Sequence, residues 1–265
     1  MNGKNKVKEK KHASIPASVI KQIKDHNFNK ELKDSEYETK FNVTSKGSIM
    51  NLLEKIETLF SKNRNFLLCK VKGGDKLLTK VTFFENSGIE YSFFRYRGAR
   101  MIKVKIHRII STRPIPIFGN DEQLLIDKKD FLGKLQYARH RFKRHKYTLI
   151  NLEKVLEKLK SDKKTKVVGE MLKTRVKDFV LNSNDGRIYA VAVTFCKSKN
   201  RIQKQLEIEY AGFIPGFREF KNNSREQIVS GVLGLSNYFH KSLPKILKPS
   251  TERKFEFVKK LYGSR

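Results

Sequence analysis

Two short acidic runs carry the chemistry this chain can offer. In Glu36-Tyr37-Glu38-Thr39-Lys40, glutamates alternate with other residues and a lysine follows at the same spacing. In a strand, alternate residues point the same way, so Glu36, Glu38 and Lys40 share one face. The second run is Leu206-Glu207-Ile208-Glu209-Tyr210, where Glu207 and Glu209 share a face opposite three apolar residues. Paired carboxylates repel each other unless a cation sits between them, and hard oxygen donors of this kind suit Mg²⁺ or Mn²⁺. The competing reading of either run is a charged strand edge facing solvent.

Cations recur in the same alternating register. Arg95 and Arg97 alternate in 91–97, and Lys103, Lys105 and His107 alternate with Ile102, Val104 and Ile106. A third set, Arg139, Arg141, Lys143 and Arg144, lies in a stretch without acids (133–146). Cations alternating with apolar residues on successive strands predict one sheet face lined with positive charge, able to grip phosphate oxygens through charge-assisted hydrogen bonds. No GxxxxGK[ST] or GxGxxG loop occurs, so side chains must hold any phosphate bound here. The six histidines show no metal-ligand spacing, and no Ser-His-Asp or Cys-His arrangement is legible.

The whole chain repeats this bias. Its 265 residues include 58 Lys plus Arg against 27 Asp plus Glu, a net charge of +31. Self-repulsion on this scale opposes compaction and predicts a standing anionic partner: RNA, DNA, polyphosphate, nucleotides or anionic lipid. Cys69 and Cys196 sit in apolar stretches outside any paired motif, as free buried thiols do. No apolar run approaches the ~18 residues of a membrane span. The charged start, Met1–Lys11, lacks the apolar segment of a secretory signal, so a cytoplasmic address and no membrane partner are expected.

The elements that must position these residues follow from periodicity. Residues 1–30 read as a basic arm and a short capped helix, and 31–265 as one domain. A strand is expected over 36–44, a helix over 47–61, and strands over 66–110 broken at Gly73-Gly74 and Asn86-Ser87-Gly88. A strand is expected at Tyr147–Ile150 and a helix over 151–176. A hairpin then spans 177–213, turning at Asn182–Gly186, and helices cover 224–244 and 252–262. Strands in the middle with helices between and after them predict an α+β fold built on an antiparallel sheet or barrel.

Taken in order, these motifs resemble the CYTH superfamily, the triphosphate tunnel metalloenzymes. The family hallmark, Glu-x-Glu-x-Lys, is matched by Glu36–Lys40, and its Arg-rich strand by Phe94-Arg95-Tyr96-Arg97-Gly98. Lys103-Val104-Lys105, Phe142–Tyr147, the late Glu207-Ile208-Glu209 and the turn Pro249–Lys254 follow in family order. One position departs: the strand before the late Glu-x-Glu, Ala190–Phe195, has no acid. The resemblance implies a closed antiparallel β-barrel, the triphosphate tunnel, with helices packed outside it. It implies Mg²⁺ or Mn²⁺ on Glu36, Glu38, Glu207 and Glu209, which are also the catalytic set. It implies phosphate held by Lys40, Arg95, Arg97, Lys103, Lys105, Arg141, Lys143, Arg144 and Lys254. The expected function is metal-dependent hydrolysis of a triphosphate, whether inorganic tripolyphosphate, a nucleoside or thiamine triphosphate, or an RNA 5′-triphosphate end. A non-catalytic RNA- or polyphosphate-binding module and a class IV adenylate cyclase are the alternatives on the same framework.

Overall fold

The computed structural model describes residues 15–25, 27–29, 35–44, 47–61, 63, 65–70, 77–86, 89–96, 102–109, 136–147, 161–215 and 224–263. For 35, 36, 77, 86, 89–96, 102–109, 136–147 and 225 the backbone alone is described. Helix α1 is Ala17–Lys24, strand β1 Ser35–Val43, helix α2 Ile49–Ser61, and strand β2 Phe66–Cys69. Strands β3 (Leu77–Asn86), β4 (Ile89–Tyr96), β5 (Ile102–Ile109) and β6 (Gln136–Tyr147) follow. Then come β7 (Thr165–Asn182), β8 (Arg187–Ser198) and β9 (Arg201–Phe213). Helix α3 (Arg225–Ser242), strand β10 (Leu247–Pro249) and helix α4 (Lys254–Tyr262) complete the order.

The strands form one antiparallel sheet in the order β10-β1-β6-β5-β4-β3-β7-β8-β9, and β1 also pairs with β9. The sheet therefore curls strongly back on itself. The expected closed barrel is met only in part, because β1 joins β6 over four residue pairs, Ser35↔Arg139 to Glu38↔Gln136. Between β5 and β6 the ladder runs over eight pairs.

Alternation divides the sheet into two faces. Phe41, Leu206, Ile208, Val191 and Val193 lie on one face and are buried against α2 and α3. Helix α2 forms because Leu52, Ile56 and Phe60 recur every four residues and bury one stripe, while the Ser48 hydroxyl accepts from the Asn51 amide at its start. Ser224 caps α3 in the same way, accepting from the Gln227 amide. Pro16 precedes α1 without a side-chain capping hydrogen bond, and Ser14, the expected cap, lies outside the described residues.

The opposite face carries two smaller apolar clusters. At one end Ile23 of α1 packs on Cys69, Phe179, Leu181, Ile188 and Ala190. At the other, Phe255 and Val258 of α4 pack on Val81, Phe83, Met171 and Cys196. Gly169 lets α4 approach: a Cβ there would lie 2.6 Å from the Tyr262 ring, and its φ of +150° suits glycine. Both cysteines are free and buried, and burial pushes the Cys69 thiol up to about 11.

Two sequence expectations need correction. From Thr165 the stretch expected as helix over 151–176 is strand, while Ser161 is helical and 151–160 lie outside the described residues: Thr165, Val167, Val168, Thr174 and Val176 are β-branched residues that favour a pleated surface. The basic stretch after 134 is itself strand β6 and ends at Tyr147, while Thr148–Ile150 lie outside the described residues. Among the described residues, no helix is long and apolar enough to cross a membrane.

Candidate functional site

The register of β1 on β9 brings the two acidic runs together. Glu38 pairs directly with Glu209, and Lys40 with Glu207. Directly opposed residues of an antiparallel ladder share a face, with Cβ atoms ~5 Å apart. Glu36 continues the β1 alternation and pairs with Ala138 of β6. Its side chain is outside the described set.

These groups are sheltered although no helix buries them apolarly. The Lys40, Glu38 and Glu207 side chains are 9%, 13% and 7% exposed. The curl of the sheet supplies that shelter, so this face is the concave one. Bare carboxylates in such a place need partners, and each described one has a cation. Glu38 bonds Lys40 at 2.6 Å, Glu209 lies 3.9 Å from Arg175, and Glu207 contacts Lys254 from the start of α4. The Thr194 hydroxyl also donates to Glu207, at 3.4 Å. Burial by itself raises the pKa of Glu207. Lys254, Arg175, Lys40 and Lys173 outweigh it and hold the carboxyl below the usual range.

Sequence reading missed the cations of β7. Lys177, Arg175 and Lys173 pair through β8 with Ala192, Thr194 and Cys196, and these pair in turn with Glu207, Gln205 and Gln203 of β9. They therefore lie along the same concave face. Their signal was the alternation in Lys173-Thr174-Arg175-Val176-Lys177, which assigning 151–176 to a helix concealed. Burial, then Lys254 and Arg175, push Lys173 down to about 7.

Register also splits the cations expected on a single face. Lys103 pairs with Phe94 and Lys146, and Lys105 with Ser92 and Arg144. Phe94 in turn pairs with Val81, and Val81 with the concave-face residue Met171. Positions 103, 105 and 144 thus fall in the concave rows. Arg95 pairs with Lys80, which pairs with Leu172; Arg141 pairs with Arg108, and Lys143 with Ile106. These rows alternate with the concave ones, so Arg95, Arg141 and Lys143 occupy convex-face positions. Lys143 and Arg144, one apart in β6, take alternate rows of the sheet. Arg97 lies outside the described residues.

Hard carboxylate oxygens on facing strands fit Mg²⁺ or Mn²⁺ by donor chemistry. Among the described residues, however, no three metal-ligating side chains converge, and lysines or arginine balance the carboxylates. β8 adds no acid: Ala190 pairs with Glu209 and Ala192 with Glu207.

No family model matches the chain, and no curated protein matches it. Solved structures overlap it loosely. The PH1819 protein from Pyrococcus horikoshii OT3 is 14% identical, with a TM-score of 0.46 over 87% of this chain and 99% of that one. The PH1012 protein of the same organism is 15% identical, with a TM-score of 0.43 over 83% and 98% of the two chains. The S. pombe Pct1 RNA triphosphatase, solved in complex with the Spt5 CTD, is 10% identical, with a TM-score of 0.38 over 88% and 94%. The strand register sets a Glu-x-Glu-x-Lys strand against a Glu-x-Glu strand on one face of a curled antiparallel sheet.

Proposed function

We propose that this chain is a metal-dependent triphosphatase that holds a triphosphate along the concave face of the curled sheet. The observation that carries the proposal is the direct pairing of Glu38 with Glu209 and of Lys40 with Glu207, flanked by Lys173, Arg175 and Lys177. Five described cations (Lys40, Lys173, Arg175, Lys177 and Lys254) accompany three carboxylates on this face. A site so composed favours a multiply charged anion. A divalent ion adds positive charge, so it enters most readily together with that anion. Glu36, Glu38, Glu207 and Glu209 would hold Mg²⁺ or Mn²⁺, which when bound would polarise phosphoryl oxygens and lower the pKa of water. The cations neutralise charge on the transferring phosphoryl group. Thr194 orients Glu207 by its hydrogen bond.

The test is phosphate release from tripolyphosphate and from 5′-triphosphorylated RNA, with Mg²⁺ or Mn²⁺ present. Wild type should release phosphate at a rate at least ~100-fold above a Glu38→Gln, Glu209→Gln double variant, in line with the loss of preorganised charge stabilisation. Equal release from both ends the enzyme reading.

A second reading is a non-catalytic RNA or polyphosphate binder on the same face. Ala190 and Ala192 favour it, since they face Glu209 and Glu207 where the family carries an acid. Its mark is metal-independent binding that weakens steeply as salt rises, through counterion release. Affinity unchanged between low and moderate salt removes it.

A further inference from the structure

Lys254 reaches Glu207 from outside the sheet. It is the first residue of α4, and a helix start carries partial positive charge, which disfavours a lysine. The segment before it is nevertheless pinned so that this lysine reaches inward. The Ser250 amide donates to the Lys40 carbonyl at 2.9 Å. The Gln205 side-chain amide donates to the Glu252 carbonyl at 2.9 Å, and that of Gln203 to the Glu252 carboxylate at 2.7 Å. Phe255 and Val258 then fix α4 on the concave face. The Lys254 side chain is 16% exposed, so its ammonium is withdrawn from bulk water and held against a carboxylate that is more buried still.

From this geometry we infer that Lys254 is a tethered counter-ion that occupies Glu207 in place of a divalent metal, so that metal binds only by displacing it. The inference rests on the metal-dependent reading above and names what regulates that site. Without an anionic ligand, Lys254 holds the carboxylate and metal binds weakly. With phosphate present, the ammonium moves to phosphate oxygens and Glu207 becomes available to the metal. Loading of metal and of polyanion is thereby coupled through one side chain.

Mn²⁺ binding to the full chain, followed by the electron paramagnetic resonance signal of free Mn²⁺, tests this without any turnover. Lys254→Met keeps the aliphatic stem and removes the charge; Lys254→Arg keeps the charge. Without phosphate, Lys254→Met should bind Mn²⁺ roughly 5- to 150-fold more tightly than wild type, the usual range for one coupled site. Lys254→Arg should resemble wild type. Saturating inorganic pyrophosphate should narrow the gap, and adding Glu207→Gln to Lys254→Met should abolish the gain. Wild type that binds Mn²⁺ alongside a Lys254→Met variant that binds no tighter overturns the inference and leaves the metal reading standing. Absence of Mn²⁺ binding in both, even with pyrophosphate, overturns the metal reading and the inference with it. Matching thermal transitions for the variants establish that the fold is intact.

Discussion

The two faces of β1 and β9 are built from the same ten or so residues yet obey opposite rules. On the convex face, Phe41, Leu206 and Ile208 are fully buried against α2 and α3. Their contribution is apolar area removed from water, which is non-directional. On the concave face, Glu38, Lys40, Glu207 and Glu209 are sheltered without apolar cover and depend on mutual charge balance. Buried ion pairs contribute little net stability, because desolvation offsets their attraction. One face therefore keeps the sheet folded, and the other keeps an expensive set of charges in place for a ligand.

Breaking that contrast on the convex face should give the largest effect. Phe41→Ala should destabilise the chain by about 3–5 kcal/mol through lost burial and the cavity left behind. Urea unfolding reads this directly, and a loss below ~1 kcal/mol would show that the convex face does not dominate stability.

A cut on the concave face should instead spare the fold and weaken the ligand. Arg175→Met should reduce affinity for inorganic tripolyphosphate roughly 10- to 100-fold, the equivalent of about 1.5–3 kcal/mol for one hydrogen bond to a charged group. Isothermal titration with the substrate in Ca²⁺ or without metal measures it. Arg95→Met sharpens the comparison, because its register places it on the convex side. It should change affinity less than ~2-fold, as exposed charges do. Similar losses for Arg95→Met and Arg175→Met would contradict the register.

The smallest effect is a pH dependence. Lys173 titrates at about 7 in the folded chain against an ordinary 10.5. Between these values the unfolded chain binds the extra proton, so folding stability contributed by this residue rises with pH across that window. Lys173→Met should exceed wild type in unfolding midpoint near pH 6.5, and the lead should shrink as pH approaches 10. A lead that grows with pH would refute the assignment.

Much of this was legible in advance where one strand sufficed. Glu36–Lys40 and Leu206–Tyr210 declared both their strands and their two faces by alternation alone. Helices α2, α3 and α4 were legible from apolar spacing. Strand β7 was not, because the leucines of 152–159 extended a helical period into residues whose β-branched character argued otherwise. The Lys173, Arg175 and Lys177 row was lost with it. For Arg95, Arg141 and Lys143 the limit is different: alternation within a strand does not say which face that strand turns inward, and only the register assigns their rows. Lys254 was found by resemblance, while its pairing with Glu207 was not.

What the sequence determined by itself was local: strand parity, helix stripes, and a charge excess that demands an anionic partner. These follow from covalent geometry and composition, which act within a few residues. Only the tertiary structure decided register: that Glu38 faces Glu209, that Lys40 faces Glu207, and that α4 delivers Lys254 between them. Register arises from backbone hydrogen bonds and packing between segments far apart in the chain, and a slip of one residue exchanges the two faces, so no stretch of sequence fixes it alone.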